Sequence, residues 1–205
     1  MADEQHPATA TDAVVRKRPK PGERRIQILQ ALAAMLEQPG AERVTTAALA
    51  AKLDVSEAAL YRHFASKAQM FEGLIDFIET SVFSLLNQIS EGPHAEQDKL
   101  RRMLSVLLQF AERNPGMVRV MVGDALVFEN ERLQQRMNLF FDKVEASLRQ
   151  VMREAATGSS TPTVDAQIRA SLLMSFVLGR LQRFARSGYK RPPLEHLDAT
   201  LAIML

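Results

Sequence analysis

At 205 residues the chain can bury a substantial core, as one helical domain or as a small module joined to a larger one. It has no cysteine, which excludes a disulfide framework and a thiolate metal site. No apolar run is long enough to span a bilayer, and residues 1–15 hold Asp3, Glu4 and Asp12 with no signal-peptide core. The expectation is a cytoplasmic protein. The formal net charge of +2 is unevenly placed: −3 over residues 1–15, +5 over 16–70 and zero over 71–205. A basic excess on one short segment is the electrostatic footprint of phosphate binding.

Residues 1–22 are polar and interrupted by Pro7, Pro19, Pro21 and Gly22, and they read as a disordered basic arm. The run Arg16-Lys17-Arg18-Pro19-Lys20 suits phosphates or a minor groove. A first helix is expected from about Glu23 to Gln38. It carries an inward stripe of Ile26, Leu29, Ala33 and Leu36 and stops at Pro39-Gly40. Arg24 and Arg25 stand at its start, where they can reach phosphates.

Residues 45–67, TTAALAAKLDVSEAALYRHFASK, read as a helix, a tight turn and a second short helix, then the start of a third. Thr45 or Thr46 caps the first of these; the free N–H groups there also suit a DNA phosphate. Leu49 and Leu53 face inward, and Ala50 is small where the two helices approach. Asp54 occupies the turn, where a left-handed backbone is expected and aspartate is tolerated. Ser56 caps the second helix, and Leu60 and Phe64 bury its inner face.

On the outer face, Ala58 and Ala59 are short enough for the helix to sit deep in a major groove, where a methyl can meet a thymine methyl. Tyr61 and His63 suit phosphate hydrogen bonds, Arg62 suits a guanine edge or a phosphate, and Lys67 suits a phosphate clamp. Residues 23–70 are therefore expected to form a helix–turn–helix DNA-binding domain, and residues 71–205 a larger helical domain.

In that larger domain a long helix is expected from Lys67, capped by Ser66, to about Ser90. Others follow at about Glu96–Arg113, around Met117–Asp124 and at about Asn130–Ala155, with a composition-defined loop at Thr157–Thr163. Two final helices are expected at about Val164–Ser187 and Leu194–Leu205. The stripe Leu173, Val177, Leu181 and Phe184, flanked by Leu172 and Phe176 with Gly179 for close approach, is read together with Leu197 and Leu201 as a two-fold dimer surface. The alternative is that both helices pack on their own domain. A dimer is favoured because two half-sites compensate for one weakly binding short helix. No strand pattern is present, so the fold class is all-α.

These residues resemble the TetR family of regulators, whose N-terminal three-helix module matches Val44–Phe71 and whose larger helical domain dimerises through its last two helices. The resemblance is closer to the branch of nucleoid occlusion regulators. Glu23–Glu37, Val55–Glu79, Phe110–Met117, Asp124–Glu154 and Arg183–Pro193 are similar to its most distinctive stretches. It implies a nucleoid-associated homodimer on palindromic double-stranded DNA. When DNA-bound, such a dimer engages the C-terminal tail of the tubulin-like division protein FtsZ and disrupts FtsZ polymers over the nucleoid.

The same resemblance places the FtsZ contact on the long fourth helix and the fifth, at Phe77, Arg113 and Asn114, with Val106 a conservative replacement. Leu85 stands where an arginine is familiar in that branch, and Gln109 where a glycine is. The other reading of Phe77 is simple core packing, and of Arg113 and Asn114 a helix terminus.

No Gly-rich phosphate loop, cysteine nucleophile or clustered histidine is evident, so no catalytic residue, metal or cofactor is assigned. The competing function is a ligand-responsive TetR-type transcriptional repressor, with Phe110, Met121, Phe140 and Met174 as possible pocket residues. A third is a helical adaptor without DNA affinity.

Overall fold

The computed structural model describes residues 22–38, 43–155 and 162–205. The basic arm at residues 1–21, the Pro39-Gly40 stop and residues 157–161 of the expected loop lie outside the described residues. Among the described residues there are nine α-helices, one 3-10 turn at Asp124–Leu126 and no strand. The helices are α1 (Glu23–Leu36), α2 (Thr46–Lys52), α3 (Glu57–Tyr61), α4 (Lys67–Glu91), α5 (Glu96–Arg113), α6 (Pro115–Met121), α7 (Glu131–Ala155), α8 (Pro162–Arg186) and α9 (Leu197–Met204).

Local chemistry sets most of these ends. Thr45, Ser56 and Ser66 each accept a backbone N–H three residues on, from Ala48 (3.1 Å), Ala59 (3.3 Å) and Gln69 (3.2 Å). Each cap stabilises its helix by about 1 kcal/mol. Asp54 takes the left-handed conformation, φ 53°, in the α2–α3 turn. Three starts differ from the sequence expectation, one of them that of α8, which begins at Pro162 rather than Val164. Helix α6 begins at Pro115, because proline at the first helical position loses no hydrogen bond and has a helical φ. Helix α9 begins at Leu197 rather than Leu194, since Pro192-Pro193 and a left-handed His196 (φ 53°) hold the chain in turns until then.

A continuous core runs from Ile28, Leu32 and Phe64 in the N-terminal module through Phe71, Leu74 and Ile78 of α4 to Leu107, Phe140, Leu148 and Leu181. Ile26, expected on the inward stripe of α1, is instead exposed. The boundary expected at residue 70 falls inside α4, which continues unbroken through Glu91. Helix α6 crosses α1 backbone to backbone. A Cβ at Gly116 would lie 2.3 Å from the Ala33 carbonyl oxygen, so only glycine fits. Next to this crossing, the Tyr189 hydroxyl donates to the Leu36 carbonyl (3.1 Å).

Helices α4 and α7 are also joined by charge. Arg132 pairs with Glu72, and Arg136 bridges Asp76 and Glu79, each at 2.5 Å. The Glu79 hydrogen bond holds the Arg136 guanidinium above its ordinary pKa despite the opposing effect of burial, and Asp76 adds to the rise.

The structure corrects the expected dimer stripe. Leu173, Val177, Leu181, Phe184, Leu197 and Leu201 are between 0% and 6% exposed within one chain. They pack on their own domain. Helix α8 is apolar on both faces. The opposite side, about half a helical turn away, presents Val164, Ile168 and Leu172 to solvent, with Gly179 open and Leu178 at its flank. Phe176 lies between the two faces, half-buried under the Arg180 guanidinium.

Candidate nucleic-acid interface and partner groove

The helix–turn–helix is built as its sequence dictates. Leu49, Ala50, Leu60 and Phe64 are buried, so α3 is pinned against α2 from inside. The Thr46 hydroxyl donates to Glu57 across the turn at 2.5 Å, which fixes the angle between the two helices. On α3, Ala58 and Tyr61 are exposed and Ala59 is half-buried; Arg62, exposed, caps its C-terminal end, and His63, half-buried, follows it. Thr45 and Ser56 add exposed helix starts at its edge.

Arg24 is half-buried in the first turn of α1. Arg25 has a structural task. Its guanidinium lies 4.1 Å over the Phe64 ring and donates to the His63 carbonyl, tying α1 to the C-terminal end of α3.

Lys67 is placed unexpectedly. Its ammonium is paired with the Glu129 carboxylate and lies over the Phe71 ring at 5.6 Å. Arg43, whose side chain is largely exposed, approaches the same carboxylate at 3.9 Å. Arg43 was not singled out by sequence reasoning. Its place just before the Thr45 cap was the available signal, and its proximity to Glu129 was not readable.

A second feature lies on α4 and α5. Phe77, Ser81 and Leu85 of α4 face Val106, Gln109, Phe110 and Arg113 of α5, with Asn114 at the end, around a groove of about 190 Å³. Phe77 is 49% exposed and Leu85 44% exposed, so neither is a core residue. Phe110 supports Phe77 from beneath, ring centroids 5.9 Å apart and tilted by 43°. The Asn114 amide donates to the Phe110 carbonyl at 2.7 Å and closes α5, which leaves Arg113 exposed at the groove's end. The groove thus has an apolar wall and a cationic end. Of the other proposed pocket residues, Met121, Phe140 and Met174 are buried in the core.

A capped three-helix module with an exposed reading helix, carried on a larger helical domain, defines a helix–turn–helix DNA-binding regulator of the TetR type. Comparison with known proteins agrees. Residues 28–74 match the family described as bacterial regulatory proteins, tetR family, and residues 96–205 match the tetracyclin repressor-like C-terminal domain of SlmA-like proteins. The nucleoid occlusion factor SlmA of Vibrio cholerae serotype O1 is 51% identical over 184 residues, covering 88% of this chain and 93% of the relative. That of Idiomarina loihiensis is 49% identical over 182 residues, with the same shares covered. A TetR transcriptional regulator from Chloroflexus aurantiacus superposes with a TM-score of 0.69 at 25% identity, over 88% of this chain and 93% of that one. The TetR family regulator PfmR from Thermus thermophilus has the same fold, with a TM-score of 0.69 at 20% identity over 87% and 94% of the two chains. The chain belongs to the SlmA family of nucleoid occlusion factors.

Proposed function

We propose that this chain acts as a homodimer that binds palindromic DNA through α3 and, when DNA-bound, engages the C-terminal tail of FtsZ in the α4–α5 groove. Engagement antagonises FtsZ polymer assembly over the nucleoid and so inhibits septum formation there. The observation that carries the reading is the groove itself. It brings together Phe77, Val106, Arg113 and Asn114, four residues that sequence separates by up to 37 positions, around exposed apolar surface. A groove with one apolar wall and a guanidinium at its end suits a short peptide with apolar anchors and a carboxylate. Leu85 and Gln109 line the same groove; Leu85 extends its apolar wall.

For DNA, Tyr61, Arg62 and His63 contact phosphates or base edges, Ala58 and Ala59 let α3 approach the groove floor, and Thr45, Thr46 and Ser56 offer helix starts to phosphates. Dimerisation is assigned to the outward stripe of α8, Val164, Ile168 and Leu172, with Gly179 permitting close approach of the partner backbone. The protein is placed in the cytoplasm, on the nucleoid. A ligand-responsive repressor has less support, because Met121, Phe140 and Met174 fill the core rather than line a cavity. Binding of an FtsZ tail peptide to the DNA-loaded protein, measured by fluorescence anisotropy, tests the reading. Saturable binding that is lost in Arg113→Ala is expected, and binding unaffected by that change counts against it.

A further inference from the structure

A lysine at the start of a helix beside a reading helix is expected to hold a phosphate, yet Lys67 is already held by a carboxylate of the larger domain. The pair is well shielded: the Lys67 side chain is 17% exposed and that of Glu129 is 7% exposed. Arg43, 3.9 Å from the same carboxylate, makes a cluster of two cations and one anion at the edge of the DNA module. A phosphate approaching Lys67 must compete with Glu129 for the ammonium's protons.

We infer that Glu129 is a positioning residue for DNA binding: it restrains Lys67, and phosphate displaces it when the module docks on DNA. The inference rests on the reading of Lys67 as a phosphate ligand. Glu129 directly precedes Asn130, whose side-chain oxygen accepts the Arg132 N–H at the start of α7 (3.1 Å). Two residues of α7, Arg132 and Arg136, pair with Glu72, Asp76 and Glu79 of α4. Phe77 lies between those carboxylates in sequence. Release of Glu129 therefore unties the residue that leads into the first turn of α7, a helix paired with α4.

Neutralising Glu129 raises the local charge and adds about one released counterion on binding. The expected gain in DNA affinity for Glu129→Gln is about tenfold at roughly 50 mM salt, falling to about 2.5-fold at roughly 200 mM, with a log–log salt slope steeper by about one. The full-length protein is titrated with a palindromic duplex across that salt range for the wild type, Glu129→Gln, Lys67→Gln and the double variant. A gain in Glu129→Gln that disappears in the double variant supports the inference, since the effect then acts through Lys67. Unchanged or weaker binding by a folded Glu129→Gln protein overturns it. If Glu129→Gln does not fold, Glu129→Asp takes its place: the shorter side chain withdraws from Lys67, so tighter binding supports the inference and unchanged binding overturns it. Lys67→Gln alone separates the two levels. If it leaves affinity and slope unchanged, Lys67 is not a phosphate ligand; if it weakens binding while Glu129→Gln does not tighten it, only the restraint fails.

Discussion

Phe77 and Phe110 stand with ring centroids 5.9 Å apart on neighbouring helices, but only Phe110 is mostly covered; Phe77 stays 49% exposed. An aromatic ring supported from below and open above is free to meet a partner. Phe77→Ala is therefore expected to cost only about 1 kcal/mol of stability, since roughly half the ring is already in water. Loss of FtsZ tail affinity is expected to be on the order of tenfold or more, in the manner of an aromatic anchor. Arg113→Ala should act similarly and leave DNA affinity intact. Chemical denaturation, peptide anisotropy and a DNA titration on the same samples check all three. Loss of DNA binding together with tail binding would point to misfolding instead.

The proposed dimer face of α8 lies opposite its buried face, so substitutions can test dimerisation apart from folding. Ile168→Glu with Leu172→Glu places charge on the solvent-facing stripe, and a monomer with an intact helical spectrum is expected by analytical ultracentrifugation. Val177→Glu places the charge where Val177 is 0% exposed, and loss of the fold is expected. A stable dimer in the first variant would refute the assigned face.

Gly116→Ala tests the junction between the DNA module and the larger domain. The added methyl would meet the Ala33 carbonyl oxygen of α1 at 2.3 Å, a backbone atom that cannot rotate out of the way. A loss of about 1–3 kcal/mol in urea unfolding is expected, the range for an overfilled core.

Tyr189 gives the same junction a pH signature. Burial raises its phenol above the ordinary value of 10.0; Glu37 and Asp124 add to the rise and Arg119 opposes it. A group raised on folding contributes stability that is complete below its unfolded value and is lost as pH rises through the folded one. Stability should therefore fall above about pH 10. Tyr189→Phe should remove that alkaline loss and cost about 1 kcal/mol at neutral pH through the missing hydrogen bond to Leu36. Thermal melts of both proteins from neutral pH into this range make the comparison.

Much of the architecture was legible because it is set by local chemistry. Thr45, Ser56 and Ser66 cap their helices, Asp54 turns the chain, and Asn114-Pro115 breaks it where expected. The inner face of α8 was not legible. Leu173 and Leu172 are adjacent, equally apolar and about 100° apart on the helix, and hydrophobicity alone does not say which enters the core when both sides are apolar. The partner of Lys67 was hidden for another reason: Glu129 is 62 residues away, and only the packing of α7 against α4 brings it there. The groove residues were reached through family resemblance, because their meeting depends on the α4–α5 crossing and not on any local pattern.

On the proposed function, DNA binding licenses an attack on FtsZ polymers. The most direct test is sedimentation of GTP-assembled FtsZ with this protein, with and without a palindromic duplex it binds. The account predicts loss of pelleted polymer only when the duplex is present, and loss of that effect in Phe77→Ala. Equal pelleting with and without DNA, in the presence of a protein shown to occupy the duplex, would contradict it.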